Sequence, residues 1–211
     1  MKKYPLLRAT VGIFLLGIVA ALAACGDTEQ PAPQAYEDNP DLPEQTQFWQ
    51  RLAHQCGNAY GGRITQKPEG ADLFDGREYL VVHFRECGDE ELRLPFHAQT
   101  MEGEWNRSRT WVLFHHDDEL ELRHDHRHED GTEEDNTWYG AFTGETVTAQ
   151  RTEFIRQPPA ARPDLRTGWR IEIVPDVRYT YGTIRNGEWG WRLDFDLTRP
   201  IDPPPAPWGH E

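Results

Sequence analysis

Serine is almost missing from this chain of 211 residues: Ser108 is the single one, and no Gly-x-Ser-x-Gly elbow surrounds it. Serine-nucleophile hydrolysis is thereby excluded, and neither a Walker phosphate loop nor a His-Glu-x-x-His motif is present to point to another enzyme class. Positive charge is scarce as well. Lys and Arg number 22 against 36 Asp and Glu, a formal net charge of -14, so the surface repels nucleic-acid phosphate and anionic lipid. A hydrophobic content of 37% excludes a multi-span membrane protein. The one long apolar run, from Ala9 to Leu22, has about 14 residues, short of the roughly 20 that cross a bilayer as a helix. Cysteine is limited to Cys25, Cys56 and Cys87.

What is there begins with an address. Met1 to Arg8 is basic, Ala9 to Leu22 is apolar, and Leu22-Ala23-Ala24-Cys25 closes the segment, the three-part layout of a secretory signal. Leu22-Ala23-Ala24-Cys25 resembles the lipobox of bacterial lipoproteins, in which the cysteine thiol is alkylated by diacylglycerol and the chain is cut before it. The resemblance implies that residues 1–24 are a signal peptide and that Cys25 is the lipidated first residue of the mature chain. Its acyl chains, palmitate among them, would then be the contact with the membrane. An ordinary secretory signal cut after Ala24, leaving Cys25 free, is the other reading. In enteric lipoproteins, retention in the inner membrane goes with Asp directly after the lipidated cysteine, whereas here Gly26 stands there and Asp27 follows. The resemblance therefore implies a cell-envelope protein anchored in an outer membrane and facing the periplasm, rather than one in the inner membrane.

With Cys25 committed to lipid, Cys56 and Cys87 remain as an even pair in an exported chain, which reads as one disulfide. A two-thiol metal site or a redox pair is the alternative, although the Cys-x-x-Cys spacing of redox sites is absent. Residues 25–45 are Pro-, acid- and Gln-rich after the cysteine and read as a disordered tether. Residues 200–211 form a Pro-rich tail, extended or with Trp208 folded back. Residues 46–199 are left for one domain with a single core.

Only the stretch from Gln45 to Cys56 has helical spacing, with Phe48, Trp49, Leu52 and Cys56 on one face. The rest predicts about ten short strands: 62–66, 79–86, 91–97, 109–116, 119–126, 137–142, 147–155, 168–174, 178–184 and 190–198. Trp191, Leu193, Phe195 and Leu197 alternate with Arg192, Asp194, Asp196 and Thr198, one buried and one wet face. Asn186-Gly187 is a favoured pair for a two-residue hairpin turn. Strands in sequence with short links and no helical crossovers predict an all-β antiparallel meander closing into an up-and-down barrel with one N-terminal helix. In strand order and size the layout resembles lipocalin-like and fatty-acid-binding barrels, although the Gly-x-Trp of lipocalins is absent at Gly61-Gly62-Arg63. A β-sandwich is the competing fold.

Six of the nine histidines are His97, His115, His116, His124, His126 and His128. A hairpin turning at Asp117-Asp118 would place Trp111, Leu113, His115, Leu120, Leu122, His124, His126 and Arg109 on one inward face, with the imidazoles near a barrel mouth. His115, His124, His126 and His128 are then candidate ligands for Zn²⁺ or Cu²⁺, since alternate strand residues can share an ion. The plainer reading is a solvated strand end whose histidines and acids satisfy one another. Residues 125–135 do not keep the spacing of an EF-hand, with Arg127 at the third position and Asp130 at the sixth.

Three segments, FWQRLAHQCGNAYGGRI, RECGDEELRLPFH and RTWVLFHHDDELELRHDHRHEDGTEEDNTWYG, look like those of an uncharacterised group of exported bacterial proteins; the resemblance implies export and carries over no catalytic residue. The sequence thus predicts a non-enzymatic cell-envelope lipoprotein whose barrel binds a small apolar ligand, with Trp111, Trp138, Trp169, Tyr179, Tyr181 and Trp191 as lining candidates. The alternatives are a metal-binding protein using His124, His126 and His128, and a tethered protein-interaction module. No cofactor is indicated beyond that metal, and neither the small molecule nor a protein partner is named.

Overall fold

A computed structural model describes residues 36–74 and 76–211. The signal segment and the lipobox cysteine Cys25 lie outside the described residues. Helix α1 covers Glu44–Ala53 and is followed by strands β1 (Ala59–Gln66), β2 (Tyr79–His83), β3 (Glu86–Cys87), β4 (Glu91–Gln99), β5 (Trp105–His115) and β6 (Leu120–His126). Then come β7 (Tyr139–Thr148), β8 (Arg151–Ile155), β9 (Thr167–Val174), β10 (Arg178–Arg185) and β11 (Glu188–Ile201).

Each strand from β4 to β11 pairs antiparallel with the next, β11 pairs with β1, β1 with β2, and β2 with β4. That circuit closes a ten-strand up-and-down barrel, with the two-residue β3 continuing the line of β2 along the same edge of β4. An even number of strands is what lets the first and last of a meander meet antiparallel. Closure removes the exposed edges and rules out the β-sandwich; the count is two above the eight of lipocalins. The expected hairpin at Asp117-Asp118 is present in the expected register, with Trp111 opposite His124, Leu113 opposite Leu122 and His115 opposite Leu120. At the β10–β11 turn Asn186 and Gly187 have φ of 50° and 83°, the left-handed pair such a turn requires.

Alternation sends Leu92, Leu94, Leu113, Leu122, Ile171, Tyr179 and Phe195 inward, all at most a few per cent exposed. Charged partners such as Arg123 with Glu121, and Arg170 with Glu153, stand on the outer face. One end of the barrel is plugged. Phe48, Trp49 and Leu52 of α1 are buried there, each stabilising the fold by about 1.5–3 kcal/mol. Cys56, just after the helix, is disulfide-bonded to Cys87 of β3, closing a loop across 31 positions and tying the plug to the wall.

One sequence expectation is corrected. The single strand predicted over 147–155 is a hairpin, with β7 ending at Thr148 and β8 starting at Arg151. The Thr148 hydroxyl accepts hydrogen bonds from the amides of Gln150 and Arg151, a side-chain turn that apolar alternation does not report. Two segments assigned to tether and tail lie on the barrel. Arg51 donates to Asp38 at 3.0 Å and Tyr36 packs edge-on against His54. At the other terminus, Trp208 donates its amide to the Arg107 carbonyl and His210 lies 2.9 Å from the buried carboxylate of Asp125.

Candidate functional site

The end of the barrel opposite α1 is not filled. Strands β5, β6, β7, β9, β10 and β11 bring Arg109, Trp111, His124, His126, Tyr139, Trp169, Tyr181, Thr183, Trp191 and Leu193 around a cavity of about 130 Å³. Phe96 of β4 contributes to the wall, and Leu73 and Phe74 cover it from the β1–β2 connection. The Phe74 ring meets Phe96 and Trp191 edge-on, both at 5.9 Å, so it closes over the cavity as the outermost member of the buried aromatic cluster.

A bulge shapes the rim. Pairing of β10 with β11 slips between Gly182 and Ile184, which brings the Trp191 amide to the Thr183 hydroxyl at 2.9 Å. A Cβ at Gly182 would lie 1.9 Å from the Trp191 carbonyl oxygen, so this close approach needs glycine. The slip directs Thr183 and Trp191 into the same space.

The walls are stacked rings. Phe96 lies on Trp111 at 5.0 Å and Trp111 on Tyr181 at 3.9 Å, while on the next strand His124 lies on Tyr139 at 4.6 Å. A polar chain threads them. The Tyr181 hydroxyl is 2.6 Å from His124 Nε2, and His124 Nδ1 is 3.1 Å from the Tyr139 carbonyl. A carbonyl only accepts, so Nδ1 carries the proton and Nε2 accepts from Tyr181: a neutral imidazole satisfies both. Burial pushes the His124 pKa down to about 3, consistent with that tautomer. The Tyr139 hydroxyl lies 3.2 Å from His126 Nε2, and His126 Nδ1 is 3.5 Å from Glu134. Burial and then the Arg109 charge lower the His126 pKa, with Glu134 opposing.

Of the six aromatic residues expected to line a cavity, Trp111, Trp169, Tyr181 and Trp191 do so. Tyr179 lies deeper, fully buried against Phe84 and Phe195. Trp138 is on the outside. Its φ of 55° breaks the strand before β7, its indole N–H donates to Glu133, and Tyr139 takes the inward place one residue on. The four candidate metal ligands do not come together. His115 packs on Trp49 at the plugged end, His128 caps a loop through its amide to Thr132, and only His124 and His126 share the cavity. No group of three or more metal-ligating side chains occurs among the described residues. Sequence reasoning missed Phe74, which sits in the polar stretch 67–78 where no periodicity marks it.

A second, larger depression of about 460 Å³ lies on the outer wall, where Gly61 and Gly62 leave room beside Arg63, Tyr79, Arg178, Asp194 and Asp196. It is open and lined by charges that pair with neighbours, as Asp194 does with Arg192 and Thr180. The mouth cavity is smaller but more closed and lined by aromatic rings, the character of a ligand site.

No protein-family model matches the chain, and no curated protein does. Among solved structures, a redesigned β barrel, mFAP1 bound to DFHBI, is similar at 11% identity and a TM-score of 0.32, covering 69% of this chain and 95% of that one. The architecture stands on its own strand pairing.

Proposed function

We propose that the protein is a binding protein of the cell envelope that takes one small, planar, mostly apolar molecule into the barrel mouth. The observation that carries this reading is the partly open cavity of about 130 Å³ walled by Trp111, Trp169, Tyr181 and Trp191. Its volume suits a single ring: an engineered cavity of about 150 Å³ holds benzene. Long-chain lipids are excluded, because the barrel below the cavity is packed with Leu113, Leu122, Tyr179 and Phe195.

Lipidation at Cys25 would place this site near an outer-membrane surface, with the barrel in the periplasm. Support for that comes from the signal layout and lipobox of residues 1–25 and from the disulfide, which suits an oxidising compartment. Labelling with palmitate that is lost in Cys25→Ser tests the anchor.

Binding is tested by titrating the full-length chain in detergent with single-ring compounds while following tryptophan fluorescence. Saturable quenching in the wild type that disappears in Leu193→Phe, which fills the cavity, supports the reading. Equal response from both proteins contradicts it.

A further inference from the structure

We infer that the molecule held in the mouth is an aromatic or other planar acid, and that Arg109 receives its carboxylate. This rests on the mouth cavity being a ligand site.

The chain is strongly acidic, and most arginines of the barrel wall are matched by acids: Arg93 with Glu91, Arg123 with Glu121, Arg127 with Asp125, Arg170 with Glu153 and Arg192 with Asp194. Arg109 differs. It lines the cavity, and among the described residues no carboxylate lies within 4.0 Å of it. Its hydrogen bonds go to neutral oxygens through Nη1 alone, to Ser108 Oγ at 3.0 Å and Asn106 Oδ1 at 3.5 Å. A guanidinium has five N–H donors in a planar fork, so most of its donors have no protein acceptor among the described residues. That fork matches a carboxylate through two parallel hydrogen bonds.

The surroundings favour the same sign of ligand. Arg156 stands 5.9 Å over Trp169, adding a second cation beside the cavity wall. The acid at the mouth, Glu134, is turned to His126 Nδ1. Phe74 covers the cavity with the Arg109 guanidinium 5.9 Å from its ring centroid, so a carboxylate bound at Arg109 would lie beside the Phe74 ring, at the rim of the cavity. A cationic ligand would meet Arg109 head-on, and a purely apolar one would gain nothing from its donors.

The test compares benzoate with benzyl alcohol and benzylamine, of nearly the same shape, on the full-length chain in detergent at pH 7. Wild type is expected to bind benzoate at least about tenfold more tightly than benzyl alcohol and to show no saturable response to benzylamine. In Arg109→Gln the preference for benzoate over benzyl alcohol is expected to fall to about onefold, and Arg109→Lys is expected to keep part of it. Benzyl alcohol binding as tightly as benzoate in the wild type, which needs no variant to fold, overturns the acid while leaving the ring site standing. An unchanged preference in a folded Arg109→Gln overturns the role of Arg109. Failure of all three compounds to bind removes the ring site and this inference together.

Discussion

The hydroxyl of Tyr181 donates to Nε2 of His124 at 2.6 Å, joining β10 to β6 across the interior of the barrel. Two positions earlier on the same strand, the Tyr179 hydroxyl is buried with no partner. The two tyrosines therefore respond oppositely to loss of oxygen. Tyr181→Phe leaves a buried imidazole nitrogen unsatisfied and is expected to cost about 1–3 kcal/mol, whereas Tyr179→Phe removes an unpaired hydroxyl and is expected to be neutral or stabilising. Melting curves of the two variants check this: a fall of several degrees for the first and none for the second.

Acid stability follows from two buried histidines. His97 and His124 are held neutral, with pKa pushed down to about 3, by burial in both cases. The unfolded chain binds these protons at its ordinary value of about 6.5, so it takes them up first as pH falls. Their contribution to stability is therefore complete above about 6.5 and is lost steadily towards 3, at about 1.4 kcal/mol per pH unit for each histidine. Neither nitrogen of His97 has a partner, so His97→Phe is expected to reduce the slope by about 1.4 kcal/mol per pH unit without harm at pH 7. Denaturant titrations at pH 7, 6 and 5 read the slope; an unchanged one in His97→Phe contradicts the assignment.

The disulfide holds the helix plug. Replacing Cys56 and Cys87 together by Ala frees a loop of 31 positions and is expected to cost about 3–4 kcal/mol in the chain-entropy account. The bond lies at the plugged end, so ring binding by the protein that remains folded should be unchanged. A loss of affinity without loss of fold would contradict the separation of plug and mouth.

Phe74 covers a cavity whose other walls are strand residues. Phe74→Ala is expected to speed ligand exit and to weaken binding about tenfold, and, because Phe74 is buried in the hydrophobic cluster, to cost about 3 kcal/mol of stability as well. Stopped-flow fluorescence distinguishes this from a rigid cavity, for which the exit rate would not change.

The barrel is legible in the sequence because each strand repeats its inward residue every second position, as in Trp191, Leu193, Phe195 and Leu197, and because Asp117-Asp118 and Asn186-Gly187 mark turns. A two-residue turn at Asp117-Asp118 is enough to set Trp111 opposite His124, and half of the cavity wall follows from that pair. What stays hidden depends on local breaks or on distant partners. The positive φ of Trp138 reverses the phase of the residues before β7, and the Thr148 turn divides an apolar run. Phe74 is an isolated aromatic residue that finds Phe96 and Trp191 only after the barrel closes. The histidines are visible as a cluster, but periodicity does not show that Tyr181 and the Tyr139 carbonyl occupy both nitrogens of His124.

The most direct measurement is a crystal structure of the protein soaked with a bromine-substituted benzoate, read by the anomalous signal of bromine. The account predicts one peak inside the mouth, among Trp111, Trp169 and Trp191, with the carboxylate on Arg109. A cavity that stays empty at saturating ligand, with bromine only in the outer groove beside Gly61 and Gly62, would contradict it.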